Sequence, residues 1–286
     1  MGTAAYDKVT EAIIQRLEAG VIPWHCPWSG VTPRNLSGRE YHGINVMLLA
    51  MQGYPSPYWL TFKQCESLGG KVRKGAKGTP VVFWRWIESK DEVNQDTGEP
   101  KRIPFLRYHT VFNLEQTEGI PAPESDCEPT DTDPIEEAER IVAGYPAPPT
   151  IYYRGGQACY KPLADIVEVP ERKHFESMPA FYDTLFHELV HSTGHASRLA
   201  RKSLTDHSAR FGSDPYAREE LVAEIGAAFL CHEAGIDHSP ILENEAAYIA
   251  SWLRRLKNDS KLVVIAASQA QKAAEHILNV HTTTES

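Results

Sequence analysis

The chain has 286 residues, 42% of them hydrophobic and 23% charged, with a formal net charge of -9. That length suits one large domain or two ordinary ones, and the composition excludes disordered and fibrous classes. The acidic balance argues against a simple basic nucleic-acid binder. The longest apolar runs, such as residues 263–268, are far too short to span a bilayer, and the first residues lack the basic start and apolar stretch of a secretory signal. A cytoplasmic location with no membrane partner is therefore expected.

In chain order, Tyr6, Val9, Ile13 and Leu17 recur at helical spacing and predict an amphipathic opening helix that stops near Gly20. Residues 40–52 and 61–68 predict two short helices. The β-rich, aromatic stretches 81–87 and 108–114 predict strands, with turn residues at 94–100 between them. Residues 119–149 are rich in proline and acid, with eight acidic residues between Glu124 and Glu139, and read as a linker ending in a short helix at 134–143. Beyond it, 150–153, 158–160 and 165–169 predict short strands with a turn at Gly155-Gly156. Helices are predicted over 179–193, 214–235 and 243–280, the last broken near Asn258-Asp259. Strands followed by helices imply α+β architecture. The expected division is 1–120, a linker at 121–149, and 150–286.

Charge divides along the same line. Residues 1–118 hold 14 Lys and Arg against 12 Asp and Glu, whereas residues 119–286 hold 15 against 26. Such asymmetry suits halves with different partners. The five cysteines are odd in number and form no CxxC pair, so neither a disulfide framework nor a cysteine zinc site is indicated.

His187-Glu188-Leu189-Val190-His191 is an HExxH sequence. On a helix, imidazoles at i and i+4 share one face and can reach one tetrahedral ion. Glu188 can then act as general base toward water. Phe181, Tyr182, Leu185, Phe186, Leu189 and Val190 make this helix strongly apolar, and polar groups on a buried helix are costly unless satisfied. Gly194 stands where a helix C-cap belongs. A third ligand is expected from the helix containing Glu219–Glu224. Zinc peptidases with a glutamate ligand often carry E-x-x-A-(D/E/N), and Glu220-x-x-Ala223-Glu224 matches. Glu220 is read as the ligand, with Glu224 behind it or as the alternative ligand. Zn2+ is the expected ion, although histidine and carboxylate ligands also accept Mn2+ or Co2+. For a donor to a tetrahedral oxyanion, His195, His207, Tyr216 and Tyr248 are candidates among which the sequence does not choose. Either 151–154 or 159–162 could be the edge strand that holds an extended peptide.

In the first half, Lys71, Arg73, Lys74 and Lys77 fall within seven residues, close to Phe83, Trp84 and Trp86. Cations track a phosphate backbone and aromatic rings stack unpaired bases, the combination that single strands require. Arg34, Arg39, Tyr41, Trp59 and Gln64 add the same chemistry upstream.

Nearly the whole chain resembles the ArdC-type plasmid antirestriction proteins, which relate to the N-terminal part of TraC-type primases. The resemblance is carried by Ile22-Pro23-Trp24, Pro27-Trp28, Arg39–Asn45, Trp59–Gln64, Gly69–Gly75 and Val111–Gln116, and in the second half by His187–His195, Arg198-Leu199 and Glu219–Phe229. It implies a single-stranded-DNA-binding domain followed by a zincin-like metallopeptidase domain. It also implies a role in shielding incoming plasmid DNA from host restriction during conjugation. The ligand set it implies is His187, His191 and Glu220 or Glu224, with Glu188 as base. Two readings follow. In one, the protein coats transferred single strands and the zincin domain is auxiliary. In the other, it is a zinc peptidase that cleaves a host protein, with DNA binding as the targeting device. A purely structural zinc fits less well, because such a site normally has four protein ligands.

Overall fold

The computed structural model describes residues 3–25, 31–93, 100–123, 133–205, 214–236 and 245–280, without the side chains of residues 3, 85–93, 100–104, 214, 215 and 245. The described chain forms two compact units, one of residues 3–15 and 32–123, the other of residues 16–25, residue 31 and the described residues from 133 to 280. The architecture is α+β.

Chain order in the first unit is α1 (Thr3–Glu18, whose last turn belongs to the second unit), β1 (Arg34–Asn35), α2 (Ile44–Ala50), β2 (Tyr58–Thr61), α3 (Phe62–Ser67), β3 (Lys71–Val72), β4 (Thr79–Val93), β5 (Pro100–Asn113) and β6 (Thr117–Glu118). Four strands form a sheet in the order β1-β2-β5-β4, and β3 pairs with β6. The β4–β5 hairpin is longer than its apolar pattern predicts, because charged residues at 88–92 interrupt the β-rich signal without ending the pairing. Helix α2 buries Ile44, Val46, Met47, Leu48 and Leu49. Its Asn45 side chain exchanges two 2.7 Å hydrogen bonds with the backbone of Val82, which satisfies the edge of β4 with an amide that imitates a strand. Thr61 and Gln64 close a reciprocal capping box at the start of α3.

The second unit contains α4 (Pro134–Gly144), β7 (Thr150–Tyr153), β8 (Cys159–Lys161), β9 (Ile166–Val169), α5 (Met178–Thr193), α6 (Lys202–Thr205), α7 (Asp214–Ala234), α8 (Glu245–Asn258) and α9 (Leu262–Ile277). Its sheet runs β7-β9-β8, with β7 parallel and β8 antiparallel to the central strand. Helices α5, α7 and α9 pack on one another, and β8 and β9 lie against α5. Helix α9 presents Ala266, Ala267, Ala270, Ala273 and Ala274, all buried. These small side chains allow α7 to approach closely. The acidic stretch before Asp133 lies outside the described residues, whereas α4 buries Ala138 and Ile141.

Helix α5 starts at a Ser177 cap and stops at Gly194. Gly194 has φ −77°, so no left-handed turn demands glycine there. Space does: a Cβ would stand 2.5 Å from Leu204 Cδ1 and 2.9 Å from an Arg201 guanidinium nitrogen. Arg198 then ties this end of α5 to the sheet. Its guanidinium donates to the Ser192 carbonyl at 2.8 Å, to the Ala147 carbonyl at 3.2 Å, and to both carboxylate oxygens of Asp165.

Candidate functional site

His187 and His191 lie one turn apart on α5, with their Nε2 atoms 3.1 Å apart. The Glu220 carboxylate comes from α7, with one oxygen 3.7 Å from His187 Nε2 and the other 3.6 Å from His191 Nε2. Ligands held about 2.1 Å from a tetrahedral ion stand about 3.4 Å apart. The spacing of the two imidazole nitrogens lies below that value, the distances to the two Glu220 oxygens lie just above it, and one ligand atom from each residue falls within 4.8 Å of the others, so the three groups fit one divalent ion. Among the described residues, this is the one cluster of three or more His, Cys, Asp or Glu groups placed to hold a metal. The approach of the two helices depends on Gly226, where a Cβ would stand 2.8 Å from both γ-carbons of Val190, the neighbour of His191.

The second imidazole, His191, is held from behind. His191 Nδ1 is 3.4 Å from Glu219 Oε1. A carboxylate there fixes the tautomer and leaves Nε2 free to ligate. Glu219 is itself buried and meets Arg201 at 2.5 Å and Ser203. Arg201 also donates to the carbonyls of Val190 at 2.8 Å and His191 at 3.3 Å, so one buried cation caps the end of α5 and anchors the acid behind its ligand. Burial would push the Glu219 carboxyl up, but its bonds to His191 and Arg201 hold it at about 2. Burial opposes a charged His187, yet the bond to Glu220 and the negative charges of Glu224, Glu188 and Glu220 raise it to about 9. The local field thus favours a cation.

Glu188 is buried, and its charge is felt at His187 and Tyr216. The acid behind His191 is Glu219, which sequence reasoning passed over. Its signal was its helical phase: it shares the buried face of α7 with Val222, Ala223 and Gly226, an unusual place for an acid. Glu224 is outside the three-ligand cluster, with Oε2 3.2 Å from His25 Nε2. Of the four oxyanion-donor candidates, Tyr216 is bonded to Glu220. Burial, the Glu220 charge and bond, and the Glu188 charge push its hydroxyl up to about 12. Tyr248 instead accepts the Trp24 indole N–H at 2.9 Å, and His195 Nδ1 is engaged with Ser197 Oγ at 2.8 Å. His207 lies outside the described residues. Both edge candidates are real edges, and of the two it is β8 that lies along α5.

The first unit distributes its candidate residues unevenly. Trp59 is 2% exposed and packs edge-on to Tyr54, and Tyr41 is 9% exposed, so both belong to the core rather than to a stacking surface. Gln64 is exposed, but its side chain closes the α3 cap. Arg34 is paired with Glu40 at 2.9 Å. Arg39, Lys71, Arg73, Lys74 and Lys77 are exposed, with Arg73 Nε donating to the Thr117 carbonyl at 3.3 Å. Trp84 is 47% exposed, and the Trp86 side chain lies outside the described residues. Strand pairing adds residues the sequence did not single out. Phe83 lies directly across from Arg107, with His109 next on the same face, its ring 5.6 Å from that of Phe83. Trp84 and Tyr108 are exposed on the opposite face.

Comparison with known proteins accounts for both units. A model of the N-terminal domain of anti-restriction factor ArdC matches residues 3–112, and a model of zincin-like metallopeptidases matches residues 136–269. The metal-free crystal structure of the antirestriction protein ArdC from plasmid R388 superposes with a TM-score of 0.72 at 39% identity, covering 97% of this chain and 99% of that one. This chain belongs to the ArdC antirestriction family. The Mn(II)-bound structure of the R388 ArdC gives a TM-score of 0.74 at 39% identity, over 96% and 97% of the two chains. The uncharacterized protein y4eC of Sinorhizobium fredii is 37% identical over 287 residues, which are 96% of this chain and 91% of that one. DNA primase TraC of Escherichia coli is 36% identical over 294 residues, 96% of this chain, and the chain spans 27% of that primase's length. The ArdC-type order of domains agrees with the α+β architecture and with a zincin-like helix pair, α5 carrying both histidines and α7 carrying Glu220. Among the described residues, no helix is long and apolar enough to cross a membrane.

Proposed function

We propose that this ArdC-family protein binds single-stranded DNA through its first unit and protects plasmid DNA entering a recipient cell by conjugation, while its second unit holds Zn2+ at His187, His191 and Glu220. The observation that carries the metal assignment is the convergence of His187, His191 and Glu220, one ligand atom of each lying within 4.8 Å of the others. Support for a divalent ion also comes from the Mn(II)-bound R388 relative, and the same donor set would take manganese or cobalt. Such an ion, when bound, supplies Lewis-acid polarisation of a carbonyl. Glu188 is the general base that takes a proton from the attacking water. Tyr216, poised beside Glu220 with its proton held firmly, is the donor to a developing oxyanion. The DNA-binding residues are drawn from Arg39, Lys71, Arg73, Lys74, Lys77, Phe83, Trp84 and Arg107, exposed cations and rings that can follow phosphates and stack bases, with Phe83 and Arg107 on one face of the hairpin and Trp84 on the other.

A second reading, a peptidase that cleaves a host protein and uses DNA binding as targeting, is favoured by three ligands rather than four among the described residues and by the β8 edge beside α5. Plasmid protection separates the two. A Lys71→Gln, Arg73→Gln, Lys74→Gln triple variant should abolish most protection under the first reading, while Glu188→Ala retains it. Loss of protection in Glu188→Ala, with DNA binding intact, would establish the second.

A further inference from the structure

Residues 71–78 carry four cations on a backbone that is fixed from one side. Strand β3 pairs with β6, Lys71 across from Glu118 and Val72 across from Thr117. The chain then docks on Gln116, the last residue of the 3-10 turn Leu114–Gln116. Arg73 donates its backbone N–H to the Gln116 carbonyl at 2.8 Å. The Gln116 side chain accepts the Asn113 N–H at 2.8 Å and donates to the Lys77 carbonyl at 2.9 Å. A backbone N–H only donates and a carbonyl only accepts, so the orientation of this amide is forced. Gln116 is 6% exposed, a position where a lost bond is not readily replaced by water. Between the two anchors the loop closes on itself, with the Ala76 N–H bonded to the Arg73 carbonyl at 3.1 Å and Gly75 in the left-handed region at φ +85°. Close packing marks both ends: a Cβ at Gly70 would collide with Ile120, and one at Gly78 with Thr110.

The loop displays unpaired charge. Among the described residues, Lys71, Arg73, Lys74 and Lys77 form no ion pair, whereas Arg34, Arg154, Lys161 and Arg172 each hold an acid. Four neighbouring cations kept apart from acids in a chain of net charge -9 repel one another, and a polyanion relieves that repulsion.

We propose that Gln116 is a positioning residue for nucleic acid: through the Lys77 carbonyl and the Arg73 N–H it holds the loop in the backbone form from which its four cations meet the phosphates of a single strand. A loop that reached that form only part of the time would bind more weakly by that fraction. This deepens, and rests on, the reading of the first unit as a single-strand binder.

The test uses the full chain and a labelled oligothymidine at low salt, where phosphate contacts are strongest. Gln116→Met is close in volume and removes both side-chain bonds. It should weaken binding about three- to tenfold, the weight of one net hydrogen bond. In a Lys74→Gln, Lys77→Gln background the same substitution should cost less than about half as much on a logarithmic scale, because half of the loop's charge is no longer there to be placed. Wild-type affinity in Gln116→Met overturns the proposal. An equal loss in both backgrounds overturns it too, since Gln116 would then support the unit as a whole. Should Gln116→Met not fold, Gly75→Ala takes its place in the same comparison, with the same outcomes deciding. Its methyl meets nothing within 4 Å, but it strains the left-handed backbone and deforms the loop without touching a charge. A wild-type chain that binds no oligothymidine refutes the single-strand reading itself, a separate failure visible before any substitution.

Discussion

Arg201 in the second unit and Trp84 in the first show two ways of displaying chemistry. Arg201 is 6% exposed and bonds Glu219, Thr193 and two carbonyls at the end of α5. Trp84 is 47% exposed, and among the described rings it meets Tyr6 edge-on at 6.3 Å. The candidate metal site is thus backed by a buried network in which each polar group determines the position of the next. The proposed nucleic-acid residues are exposed groups, cations before the long β4–β5 hairpin and rings on it. Buried networks are specific because an unsatisfied member is expensive. Exposed cations and rings suit a ligand that is long, flexible and not read by sequence.

The largest expected effect lies in the network. Glu188→Ala should retain the ion, measured by metal content after dialysis, and slow any peptide hydrolysis by about 100- to 10,000-fold, the usual contribution of a general base. Loss of the ion would make Glu188 a ligand and overturn its role as base. Arg201→Met strands the buried Glu219 charge and should destabilise the second unit by about 3–5 kcal/mol in urea unfolding. A loss below about 1 kcal/mol would mean that water reaches the pair and that the contrast between the units is weaker than drawn. Gly226→Ala forces a methyl against Val190 and should cost about 1–3 kcal/mol, with weaker metal binding because α7 carries Glu220 away from α5. Unchanged metal affinity would show that the helix spacing does not control the site.

The smallest effect concerns the Asp165–Arg198 link between sheet and helix. Burial would raise the Asp165 carboxyl, but its bonds to Arg198 and Tyr160 hold it below the ordinary value. A depressed carboxylate stabilises the fold above the unfolded pKa of about 3.9, and that contribution disappears as pH falls toward the lower folded value. Melting temperatures of the wild type should therefore drop below about pH 4 more steeply than those of Asp165→Asn, with the two differing by about 1 kcal/mol at neutral pH. Parallel acid profiles would remove Asp165 from the tether.

Much of the second unit could be read without coordinates. Its short strands and the helices of α5, α7, α8 and α9 follow periodicity, and Gly194 marks the end of α5. The spacing of His187 and His191 places two imidazoles on one face whatever surrounds them. The first unit was less transparent. Trp59 and Tyr41 have the composition of a stacking surface but are buried, because strand pairing decides which face a ring occupies and composition does not. Phe83 and Arg107, 24 positions apart, become neighbours through the register of β4 and β5.

Local order alone determined where α5 and α7 lie, and that two histidines and a glutamate share a helix. Tertiary structure decided which acid completes the cluster, which acid stands behind His191, and that His25 reaches Glu224 from 199 positions away. The reason is physical: helical spacing is a property of consecutive residues, whereas satisfying a buried charge depends on which distant segment the packed core brings against it.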